Sequence, residues 1–187
     1  MKTLDDVLLD MGEKMDNTIK VVKDQFSGLR TGKASPALVD GVQVTYYGTP
    51  TRLRDLANIS TPEPRLIVIS AYDPTALPEI EKAILAANLG VTPRNDGRVI
   101  RVPIPELNEE RRKEIVKVAK RQSEEARIAV RNVRRDANDQ IKSLQKDGKI
   151  TEDDRDRGLD VVQKTTDEHI AKIDTELKNK EAEVMAV

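Results

Sequence analysis

No cysteine occurs among the 187 residues, which excludes disulfides, thiolate metal sites and cysteine nucleophiles and suits a reducing compartment. Tryptophan is absent too; phenylalanine occurs once, as Phe26, and histidine once, as His169. A chain this poor in rings must build its core from aliphatic side chains, and it has little on which a run of unpaired bases could stack. A lone histidine without cysteine or carboxylates at ligand spacing makes no metal constellation, and no phosphate-loop or dinucleotide glycine pattern occurs. No catalytic residue, metal or cofactor is therefore expected. His169, beside Ile170 at the edge of an apolar stripe, reads as a packed or capping histidine. Long apolar runs are missing as well: "MKTLDDVLLDMGEK" scatters acids among its hydrophobic residues and is neither a signal peptide nor a membrane span. The sequence points to a cytoplasmic protein with no membrane partner.

What the chain does have is charge, 35% of all residues, in patterns with a helical period. Near the N-terminus Leu4, Leu8, Met11, Met15, Thr18, Val22, Phe26 and Leu29 recur three and four residues apart and predict one long amphipathic helix. A second opens where Asn108 can cap and Glu109 and Glu110 face the helix dipole. Its stripe runs Ile115, Ala119, Gln122, Ala126, Ala129, Val133, Ala137, Ile141, Leu144, and Gly148 stops it. The third opens at Thr151, which can cap against Asp154, and follows Leu159, Val162, Thr166, Ile170, Ile173, Leu177 and Val184. The acid-rich "EDDRD" there is explained by the dipole rather than by a cation. At ~1.5 Å per residue such helices are on the order of 40 to 60 Å long, so they must cover one another. The short "KDGKI" link makes the second and third antiparallel, and the three close an elongated antiparallel bundle.

Residues 31 to 105 differ: all nine prolines and all three tyrosines lie there. "VQVTYYG" (42 to 48), "RLIVISAY" (65 to 72) and "RVIRVPI" (98 to 104) read as strands, and "PEIEKAILAANLG" (78 to 90) as a helix. Tyr46 and Tyr47 alternate faces, so one packs inside and one is exposed. The fold class is thus α+β, with residues 1–30 and 106–187 forming the discontinuous bundle and 31–105 a small inserted β/α/β domain. Two linkers join them as a hinge, Arg30, Thr31 and Gly32 on one side and Pro103, Ile104 and Pro105 on the other. Gly32 frees the backbone of the first, and the prolines stiffen the second.

Net charge is only −1, yet it is unevenly spread: residues 108 to 147 carry 12 basic and 8 acidic side chains, and 148 to 187 carry 7 and 11. On a wheel at ~100° per residue the second helix's apolar positions fall in one arc. Lys113, Lys120, Arg127, Arg131, Arg134, Arg135 and Lys142 fall in another, with Glu124 as the one mid-helix acid among them. A solvated face with intrahelical ion pairs is the ordinary reading of such charge. Here the segregation argues against it, because Glu114, Glu125, Asp136 and Asp139 lie to one side. Pairing with the acidic third helix stays open. The functional reading is a stripe against nucleic-acid backbone, with structured RNA or duplex read by phosphate and shape.

The segments "LRTGKASP", "YYGTPT", "IRVPIPELNEERRKE" and above all "ARIAVRNVRRDAND" resemble the bacterial ribosome recycling factor family over essentially the full length. The resemblance implies an L-shaped molecule, roughly like transfer RNA. It also implies a monomeric factor that binds the large-subunit RNA of the post-termination ribosome and, with elongation factor G hydrolysing GTP, separates the subunits. The family's ribosome-contacting arginines correspond here to Arg112, Arg131 and Arg134; Arg127 and Arg135 join them from the stripe. Lys33 stands where arginine is common in the family, keeping the charge without the bidentate fork. The alternative is a coiled-coil protein whose basic stripe meets an acidic partner.

Overall fold

The computed structural model describes residues 2–186. In chain order its elements are α1 (Leu4–Ser27), β1 (Gln43–Tyr46), β2 (Thr49–Arg52), α2 (Leu53–Leu56), β3 (Ala57–Glu63), β4 (Leu66–Ala71), α3 (Leu77–Ala86), β5 (Arg94–Asn95), β6 (Ile100–Pro103), α4 (Glu109–Lys146) and α5 (Glu152–Met185). They fall into two compact units, one with the residues up to Leu29 and from Arg112 onward, the other Arg30–Arg111. The boundary cuts the first turn of α4.

Each long helix starts where a side chain satisfies its free N–H groups. Thr3 with Asp6 and Thr151 with Asp154 form capping boxes on α1 and α5. Asn108 Oδ1 accepts the Arg111 N–H at 2.8 Å on α4. In both boxes the acid's carboxyl lies below its usual range, held there by hydrogen bonds from the threonine. Gly148, at φ +67, ends α4, and the Lys149 N–H closes back on the Leu144 carbonyl at 2.9 Å.

Cross-helix pairs fix the directions. His169 against Asp16 and Lys23 against Glu176 make α1 and α5 parallel, while Arg127 against Asp174 and Lys120 against Glu181 make α4 antiparallel to α5. The apolar faces of all three helices share one core, with Met15, Val130, Ile141, Val162 and Ile173 fully enclosed. Gly158 of α5 lets the helices close in, since a Cβ there would lie 2.9 Å from Leu4 Cδ1 and 3.3 Å from Ile141 Cδ1.

The buried stripes are slightly rotated from the expected ones. On α1 Val7 and Ile19 are buried, and Leu4, Leu8 and Thr18 flank them. On α4 Ser123 and Val130 are buried, whereas Gln122 and Ala129 are half-buried. A straight helix turns every 3.6 residues, so a stripe counted in sevens drifts by ~20° per heptad over so long an element. His169 is buried rather than at an edge: Nε2 meets Asp16 Oδ1 and Nδ1 the Thr165 carbonyl, both at 2.7 Å, so whichever nitrogen carries the proton faces an acceptor.

The other unit has an antiparallel sheet in the order β3-β4-β6-β5, a β1–β2 hairpin and α3. Ile67, Ile69, Ile80, Ile84, Ile100 and Val102 fill its core and are fully enclosed. The expected strands and helix are present as β1, β4, β6 and α3, each shorter than its sequence window. Strands β2, β3 and β5 and the single turn α2 go beyond the expected pattern. Both β2 and β3 contain a proline, β3 has a register shift between Ser60 and Glu63, and neither has the apolar alternation that announces a strand. Helix α3 ends at Ala86 rather than at Gly90 because Asn88, at φ 50, already turns the chain.

Candidate nucleic-acid interface

Helix α4 presents Arg127, Arg131, Arg134 and Arg135 at three- and four-residue spacing, so they share a face. Their electrostatic surroundings differ. Arg127 is drawn into the bundle: its Nε and Nη2 donate to Asp174 Oδ1 at 2.9 and 2.6 Å, and its Nη1 donates to Glu124 Oε2 at 3.0 Å. Burial works against its charge, but the hydrogen bonds it donates to Asp174 and Glu124 outweigh it and hold its pKa above the ordinary arginine value. Lys120 likewise reaches Glu181, at 3.8 Å. For these two residues the stripe is answered by the acidic third helix, and Arg127 is a bundle strut rather than a free cation.

The remaining arginines are not answered in this way. Arg131 meets Glu124 Oε1 at 3.5 Å, and its side chain is 40% exposed. Among the described residues Arg134, half-buried, and Arg135, exposed, have no ion pair, and neither has Arg112, half-buried on the first turns of α4. Arginine forks without an intramolecular carboxylate keep all their donors available to phosphate oxygens. Sequence reasoning missed that Glu124 and Asp174 sort the stripe into engaged and available members. The signal for Asp174 was its place in the acidic third helix; its register against Arg127 needed the fold.

The candidate hinge residues are held by a feature not foreseen from sequence, the turn between β3 and β4. The Ala34 N–H donates to the Pro64 carbonyl at 2.6 Å, the Ile104 N–H donates to the Arg65 carbonyl at 2.8 Å, and the Arg65 side chain pairs with Glu106. Gly32 has φ +79, and a Cβ there would lie 3.6 Å from the Leu107 side chain. The Arg30 guanidinium covers Gly90 so closely that a Cβ would come within 2.7 Å of it. Pro103 pairs with Leu66 in the sheet. Pro103 therefore ends β6 in the sheet, Ile104 is tied to the β3–β4 turn, and the second connecting segment runs on from Pro105.

The sequence model of the ribosome recycling factor family matches residues 22–185. The chain belongs to this family. It is 54% identical to the ribosome-recycling factor of Pelotomaculum thermopropionicum over 97% of this chain and 98% of that one. The Bacillus subtilis ribosome-recycling factor is 52% identical over 97% and 98%. A solution structure of a ribosome recycling factor, 42% identical, superposes with a TM-score of 0.83 over all of both chains. A second structure, 39% identical, with a TM-score of 0.68 over 99% of this chain and 100% of that one, comes from models for the T. thermophilus ribosome recycling factor and the E. coli elongation factor G bound to the E. coli post-termination complex. The family consists of translation factors rather than enzymes. Membership displaces the coiled-coil alternative. Among the described residues no helix is long and apolar enough to cross a membrane, and no cluster of ligating side chains is placed to hold a metal.

Proposed function

We propose that the chain binds the post-termination ribosome as a single copy and, with elongation factor G and GTP, separates it into subunits, freeing messenger and transfer RNA. In this reading Arg131, Arg134 and Arg135, with Arg112 nearer the start of α4, lie against phosphates of large-subunit RNA. The observation that supports it is the division of the stripe: Arg127 is consumed by Asp174 and Glu124, while Arg134 and Arg135 have no carboxylate among the described residues. Partners of stated identity come from the models of a related factor and of elongation factor G bound to a post-termination complex. Cosedimentation with ribosomes at two salt concentrations tests the reading. Arg131→Ala and Arg134→Ala should each weaken binding and flatten its salt dependence by about 0.7 to 0.9 per lost phosphate contact. Unchanged affinity and slope in both variants would refute it.

Movement between the units is the second part of this proposal. The bending residues are Arg30–Gly32 in the first segment and those from Pro105 onward in the second, because Ala34 and Ile104 are tied to the β3–β4 turn. A disulfide engineered across the joint, in a chain with no other cysteine, should leave ribosome binding intact and stop subunit separation until it is reduced. Separation at full rate in the oxidised form would show that bending is dispensable.

A further inference from the structure

The facing edges of α4 and α5 carry a ladder of opposite charges. Lys120 meets Glu181 at 3.8 Å and Arg127 meets Asp174 at 2.6 Å, so seven residues forward along α4 match seven residues back along α5. Antiparallel helices packed along one seam repeat their contacts at this interval. The next step of the same count sets Arg134 opposite Asp167. The seam continues past that rung, where Arg155 Nη1 donates to Gln145 Oε1 at 3.4 Å. The rung of Arg134 and Asp167 thus lies between closed contacts on both sides, yet among the described residues these two make no ion pair.

Asp167 is held by its own helix instead. Its Oδ1 accepts from Gln163 Nε2 at 2.9 Å, one turn earlier on α5. Both residues are exposed, so this bond satisfies no buried group. The same register sets Gln163 opposite Asn138, whose side-chain oxygen is enclosed and accepts no hydrogen bond. A buried amide oxygen without a donor is costly, and folded chains rarely leave one. Here an amide level with that oxygen is spent on an exposed carboxylate. Local bonding does not account for that choice; a need to keep Asp167 away from Arg134 does.

We infer that Gln163 is a positioning residue for the RNA contact, restraining Asp167 so that Arg134 keeps its donors for phosphate; this rests on the function proposed above. Two arginines one rung apart receive opposite duties from α5. Among the described residues Asp174 has no donor but Arg127, and it draws that guanidinium in. Asp167 has Gln163, and Arg134 stays out. An exposed ion pair adds little to stability, so folding alone selects weakly between an open and a closed rung. For a phosphate-binding face the closed rung costs one whole cation, which makes the restraint on Asp167 a determinant of affinity.

The test is cosedimentation of the full chain with ribosomes over a range of salt, with thermal melting in parallel. Gln163→Ala releases Asp167 to close on Arg134. It should melt at the same or a higher temperature, bind on the order of fivefold more weakly, and show a salt slope flatter by about 0.7 to 0.9. The same change made in an Asp167→Ala chain should do nothing, since no acid remains to close, and that dependence separates positioning from a general effect on α5. Parent affinity and slope in Gln163→Ala, or an equal loss with and without Asp167, would overturn the inference. If Arg134→Ala weakens binding while Gln163→Ala does not, this inference fails alone. If Arg134→Ala binds as the parent does, the proposed RNA contact of Arg134 fails and this inference falls with it.

Discussion

In the helical unit the buried residues are strung along three stripes, and the exposed charge is sorted by whether an acid on α5 can reach it. In the mixed unit the buried residues converge on one sheet and one helix, basic and acidic residues balance at eight each over residues 31 to 107, and two tyrosines point outward. The first unit segregates its charge, with basic residues in excess along α4 and acidic ones along α5; the second balances its charge and displays two aromatic rings. One chain thus carries two surfaces of different chemistry.

The comparison breaks most visibly if the cores are not independent. Ile141→Ala in the helical unit and Ile69→Ala in the mixed one each empty a fully enclosed site and should cost about 2 to 5 kcal/mol. Amide exchange should lose protection in the altered unit and keep it in the other. Loss in both at once would show a single cooperative core. Next in size, replacing Arg131 and Arg134 together by alanine should lower ribosome affinity by about tenfold per residue, ~1.4 kcal/mol each, with melting unchanged.

Arg127→Ala sharpens the distinction within the stripe. It removes a largely buried strut, with the side chain 19% exposed, so it should lower the melting temperature and leave the salt slope of ribosome binding nearly as it was. The reverse pattern would return Arg127 to the interface. The smallest effect is at the start of α5, where Thr151→Ala should cost about 1 kcal/mol. The hydrogen bonds from Thr151, with Arg157 beside them, hold the Asp154 carboxyl below its usual value. Its contribution is therefore present above the ordinary carboxylate range and is lost as pH falls through the lowered folded value. Urea titrations between neutral and acid pH should show a shallower loss of stability in Thr151→Ala than in the parent chain.

How the sequence and the fold divide the work can be seen residue by residue. The long helices, their caps at Thr151 and Asn108 and the stop at Gly148 were legible, because periodicity, capping and turn chemistry are local and act within a few residues. So was the arginine stripe. Strands β2 and β3 were not, since edge strands with a proline owe their pairing to β1 and β4 rather than to their own alternation. Composition and spacing alone placed seven cations on one face of α4. Only the register between α4 and α5, set by packing at contacts such as Gly158 against Leu4 and Ile141, decided that Arg127 meets Asp174 while Arg134 and Arg135 stay available. Which charges neutralise each other depends on distances of a few ångströms between residues nearly fifty positions apart, and such distances exist only once the helices are packed.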